Sequence, residues 1–106
     1  MKKEEEILKY VKKRSLFDAG SDEFGRRPME QKIAILRELN QYGYLEKTVR
    51  DYQKYYRDKQ YLLDELPRTL QLLIEQLKYG KRSYDRSLEE KSVNELVAVL
   101  KTELTP

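Results

Sequence analysis

Catalysis near neutral pH most often runs through histidine or cysteine, and this chain of 106 residues has neither. Without imidazole it lacks the side chain whose ordinary pKa lies near 7, and with it the commonest metal ligand. Without thiols it has no disulfide, zinc–thiolate site or thiol nucleophile. Carboxylates, cations and hydroxyls remain. Asp64/Glu65 and Glu89/Glu90 are adjacent pairs, but neighbours on a helix point apart and do not converge on one substrate atom. Asp18, Asp22 and Glu23 lie in a glycine-bearing stretch. A calcium loop needs carboxylates at alternate positions, a central glycine and a distant glutamate, and this spacing differs. No GxSxG elbow, GxxxxGK[ST] loop or GxGxxG turn occurs. The expectation is a protein that is not an enzyme and uses no cofactor or metal.

Binding chemistry is better represented. Lys47, Arg50, Lys54, Arg57 and Tyr61 recur at spacings of three and four, which places them on one helix face. Four cations and an aromatic in a row can follow a phosphate backbone. A second set, Lys78, Lys81, Arg82 and Arg86, has Tyr79 and Tyr84 between its members. Against both stands the ordinary behaviour of charge on a solvated face. Asp51 and Asp58 flank the first row, and Glu46 and Asp58 can pair with Arg50 and Lys54 across one helical turn. Tyrosine is the other abundant candidate: there are nine, with two phenylalanines and no tryptophan. Its ring packs while its hydroxyl seeks a partner, so it suits a half-wet boundary. Tyr52, Tyr55 and Tyr56 therefore mark either the edge of a core or an interface.

These side chains need helices to carry them. From Leu45, a seam runs through Val49, Tyr52, Tyr56, Lys59, Leu63, Leu66, Leu70 and Leu73 to Leu77. The steps alternate four and three, which keeps one stripe facing a partner. The spacing predicts a long helical segment over residues 45–79. Lys59 interrupts the stripe; it either snorkels its ammonium into water or sets register with a partner. Pro67 lacks an N–H and clashes with the carbonyl of Leu63. Because the heptad phase continues past it, the expectation is a kink or two nearly coaxial helices, with Asp64 a possible N-cap for the second.

Around this segment, residues 3–15 read as a first helix, with acids in the first turn and bases in the last. Residues 16–27 read as a loop pinned to the core by Phe17 and Phe24. Residues 28–41 read as a second helix opened by Pro28, with Met29, Ile33, Ile35, Leu36 and Leu39 inward and Gly43 as its stop. Gly80 ends the long segment. Ser87/Glu90 and Ser92/Glu95 both have capping-box spacing, and Val93, Leu96, Val97, Leu100 and Leu104 form a last apolar stripe. Nothing reads as strand. The expected fold is all-α: one domain over residues 1–106, a small bundle of four to five helices built on a long, proline-kinked central segment.

Hydrophobic and charged residues each make up 39% of the chain and the formal net charge is +3. Such a modest core suggests that part of the long seam is covered by another chain. The opening residues have no apolar run like that of a signal peptide, and no window approaches the ~18–20 apolar residues of a membrane span. The expected location is cytoplasmic. The leading functional expectation is a regulatory or adaptor protein acting through helical protein–protein contacts, with Tyr52, Tyr55, Tyr56, Lys59 and Leu63 at the interface and a homodimer as the simplest assembly. The alternative is a nucleic-acid-binding regulator using Lys47, Arg50, Lys54, Arg57, Lys81, Arg82 and Arg86.

Overall fold

A computed structural model describes Glu5, Leu16, Phe17 and residues 29–106. Among them are five helices: α1 (Met29–Gln41), α2 (Leu45–Tyr55), α3 (Gln60–Tyr79), α4 (Arg86–Glu89) and α5 (Val93–Leu104). No strand occurs among the described residues, and the chain folds as the small helical bundle its apolar stripes predict. The expected first helix over residues 3–15, the acidic loop with Asp18, Asp22 and Glu23, and Phe24 lie outside the described residues, Glu5 excepted. Leu16 and Phe17 are buried in the core.

The α1–α2 turn follows from one glycine. Gly43 takes φ +75°, a left-handed conformation that side chains with a Cβ adopt at a cost. Its N–H donates to the Asn40 carbonyl at 3.0 Å, and the Tyr44 N–H donates to Leu39 at 2.8 Å. This pair of bonds satisfies carbonyls that the helix end leaves open, as in a Schellman motif. Leu39 and Tyr44 both pack on the core, which sets the direction in which the chain re-enters the bundle.

The long segment is interrupted at residues 56–59, ahead of the proline. The helix stops at Tyr55 and restarts at Gln60, and Pro67 lies inside α3. An unbroken helix would carry Lys59 into the apolar stripe, and an unpaired ammonium there is costly to desolvate. In the turn, Lys59 is exposed and serves as the N-cap residue of α3, and its N–H donates to the Tyr56 carbonyl at 2.9 Å. Only the start of the stripe changes, with Leu62 in place of Leu63, while Leu66, Leu70 and Leu73 keep the predicted inward positions. Leu62 and Leu66 are buried while Leu63 is only half-buried. A mid-helix proline costs about 3 kcal/mol. Burial of Leu62, Leu66, Leu70, Leu73 and Ile74, at about 1.5–3 kcal/mol each, offsets that several times over.

Helix α5 makes its most extensive contact with α3 and also packs on α1 and α2. Its stripe of Leu96, Val97, Leu100 and Leu104 is buried. Of the two expected capping boxes, the one that forms is Ser92/Glu95: the Glu95 N–H donates to Ser92 Oγ at 3.2 Å and the Ser92 N–H to Glu95 Oε1 at 3.0 Å. The start of α4 is capped instead by Asp85. At the far end of α5, Arg37 Nη1 donates to the Leu104 carbonyl at 3.0 Å, and so ties the last turn to α1.

Candidate functional site

The tyrosines of the seam divide between inside and outside. Tyr52 is 1% exposed and Tyr56 8%. Their rings lie 4.9 Å apart, and Phe17 meets Tyr52 edge-on at 5.2 Å. These two rings fill the chain's own core, so no second copy is needed to cover them. Of the five residues expected at a protein interface, Tyr55 and Lys59 are exposed and Leu63 half-buried. Tyr55 stands edge-on to Tyr56 at 4.9 Å, so one ring bridges the core and the surface.

The first basic row is shorter than its spacing implies. Lys47, Arg50 and Lys54 lie on α2, Arg57 falls in the turn and Tyr61 belongs to α3. The break at residues 56–59 therefore ends the shared face after Lys54. Lys47 is half-buried and ion-paired with Asp51 at 3.5 Å. Glu46 reaches Lys101 Nζ at 2.8 Å, and this hydrogen-bonded ammonium, with its charge, holds the Glu46 carboxyl below the ordinary range. A shallow groove of about 350 Å³ runs between α2 and α5, lined by Glu46, Val49, Arg50, Asn94, Val97 and Ala98. Its mixed lining converges on no reacting position.

The second basic set is built differently. Lys78 and Tyr79 end α3, Gly80 caps it at φ +72°, and residues 81–85 lead into α4. Beneath this loop sits Glu75, only 3% exposed. Its Oε1 accepts from the Ser83 N–H and its Oε2 from the Asp85 N–H, each at 2.9 Å. Burial pushes this carboxyl up, but the backbone N–H groups of Ser83, Asp85 and Tyr84, aided by Arg68, outweigh it and hold it below the ordinary range. Asp85 in turn accepts from the Ser87 N–H and hydroxyl at 3.0 and 2.6 Å and from the Tyr79 hydroxyl at 2.8 Å. The Ser87 and Tyr79 hydroxyls lower its pKa. Gln71 Nε2 donates to the Leu88 carbonyl at 3.3 Å. Two buried polar side chains one turn apart on α3 thus hold both the loop and α4.

This bracing places Tyr84 at φ +53°, a left-handed conformation that costs a non-glycine residue roughly 1–2 kcal/mol. Tyr84 is 63% exposed, with the Arg82 guanidinium 5.5 Å from its ring centre; Lys78 Nζ is 5.4 Å from that of Tyr79. Residues 78–86 hold four of the chain's 22 basic residues and one of its 19 acidic ones, which leaves eighteen of each sign elsewhere. Residues 78–86 thus carry a local excess of three positive charges, above the buried Glu75 carboxylate. Lys78, Lys81, Arg82 and Arg86 are all exposed, whereas the one carboxylate, Asp85, is engaged by its neighbours.

Sequence reasoning found the loop cations but not Glu75, which reads as one more helix charge. The available signal was its place in an otherwise apolar run, one turn after Gln71. Among the described residues, no group of three His, Cys, Asp or Glu side chains could hold a metal ion, and no helix is long and apolar enough to cross a membrane. No family model, curated protein or solved structure matches the chain.

Proposed function

We propose that the protein is a non-catalytic regulatory protein that binds nucleic acid through its exposed cations and tyrosines. The observation behind this reading is a local excess of three positive charges in one braced loop beside two exposed aromatic rings. Neutralising phosphates with lysine and arginine releases condensed counterions, which supplies sequence-independent affinity. The test is binding of labelled duplex and single-stranded oligonucleotides at low salt, with affinity followed as salt rises. Binding that weakens steeply supports the reading; absence of binding to both forms rejects it.

A second reading is favoured by the α2–α3 turn, where Tyr55, Arg57, Lys59 and Tyr61 are exposed together in sequence. Tyrosine and arginine dominate protein-binding hot spots, and an adaptor acting through helical protein contacts would use them. Pull-down from native lysate separates the two readings. A protein partner that survives nuclease treatment and is lost in Tyr55→Ala supports the adaptor. Nucleic acid as the captured species supports the first reading.

A further inference from the structure

We infer that residues 78–86 form a docking surface for a single-stranded segment of nucleic acid, with Tyr84 and Tyr79 as stacking platforms and Glu75 as the residue that positions them. The inference rests on the nucleic-acid reading and specifies its form and place. An acidic peptide requires only cations, whereas unpaired nucleotides present flat bases as well as phosphates. The loop offers groups for both: exposed tyrosine rings for bases, and Lys78, Lys81, Arg82 and Arg86 for phosphates. Base–aromatic stacking is tolerant of sequence because every base has a π face, and an arginine beside the ring adds to it. A duplex keeps its bases stacked on one another and leaves the tyrosines nothing to stack on.

The loop is also held in place before any ligand arrives. Glu75 accepts from the N–H groups on either side of Tyr84, and the Tyr79 hydroxyl is anchored on Asp85. Both rings are thus presented on backbone that does not have to be ordered on binding, which lowers the cost of association. A non-glycine residue kept at positive φ is backbone strain, and such strain concentrates at binding sites. Tyr84 therefore combines a strained backbone with the most exposed large aromatic side chain among the described residues.

The experiment measures fluorescence anisotropy of a labelled oligothymidine of about 20 nucleotides at low salt, in parallel with a duplex of equal length and with polyglutamate. The proteins are wild type, Tyr84→Gly, Arg82→Gln and Glu75→Gln, each with its melting temperature recorded. Glycine accepts φ +53° without strain, so Tyr84→Gly removes the ring without the folding penalty of other substitutions. The expected result is preference for the single strand, a loss of about tenfold in Tyr84→Gly with unchanged or raised melting temperature, and a smaller loss in Arg82→Gln. Glu75→Gln should weaken binding while every phosphate-contacting cation is still present. Equal binding to the duplex that is indifferent to Tyr84 and Arg82 overturns the inference but leaves the nucleic-acid reading intact. Absence of binding to both nucleic acids overturns both. Polyglutamate bound more tightly than oligothymidine makes the loop an acidic-peptide site and overturns the inference.

Discussion

Glu75 shows how far one buried carboxylate can organise its surroundings. It replaces water for the N–H groups of Ser83 and Asp85, which would otherwise be left without a partner beneath the loop. Glu75→Gln keeps one acceptor oxygen and turns an amide donor toward these donors. Leaving a buried donor unsatisfied costs about 1–3 kcal/mol, which chemical denaturation of wild type and variant should resolve. The direction of the pKa shift also sets a pH dependence. The carboxyls of Glu75, Asp85, Glu95 and Glu46 lie below their ordinary values in the folded chain. Their contribution to stability is therefore complete above the unfolded carboxylate pKa of about 4.3 and is lost as pH falls through the lowered folded values. Thermal melts followed by circular dichroism should shift downward from about pH 6 to about pH 3, and less so in Glu75→Gln. A melting temperature that rises on acidification would contradict these assignments.

The helices show which sequence signals hold and which yield to packing. Glycine stops at Gly43 and Gly80, the Ser92/Glu95 capping box and the stripe of α5 were legible, because each is set by local stereochemistry. The break in the long segment was not. Proline is the stronger breaker by propensity, yet the helix runs through Pro67 and stops at Tyr55, because apolar burial around Leu66 and Leu70 outweighs one missing hydrogen bond while Lys59 has no place in the stripe. Glu75 was missed for a related reason: its partners are backbone N–H groups, which carry no residue-type signature. Two substitutions test this balance. Pro67→Ala restores an N–H to the Leu63 carbonyl and should raise stability, by up to about 3 kcal/mol; a lower melting temperature would mean that the proline ring itself is needed for packing. Ser92→Ala removes the side-chain oxygen of the capping box and should cost about 0.5–2 kcal/mol, read from denaturant midpoints at unchanged slope.

For the molecule as a whole, an unbroken helix from Leu45 to Leu77 would run about 48 Å and leave part of its seam for a second copy to cover. The chain breaks at residues 56–59 and spans only 37 Å in its longest dimension, with Tyr52 and Tyr56 inside. Sedimentation equilibrium should therefore give a mass near 12.8 kDa across concentration; a rise toward twice that value would return the dimer, with Tyr55, Lys59 and Leu63 as its contact. On the proposed reading the chain binds through its surface, at the cations of residues 78–86. The decisive quantity is the slope of log affinity against log salt for oligothymidine, in wild type and in Arg82→Gln/Arg86→Gln. Each phosphate contact to a single strand contributes about −0.7 to that slope. Four engaged loop cations predict about −2.8, and the double variant should flatten it by about 1.4 while remaining folded. An unchanged slope in the variant, or no binding at any salt, would contradict the assignment of function to this loop.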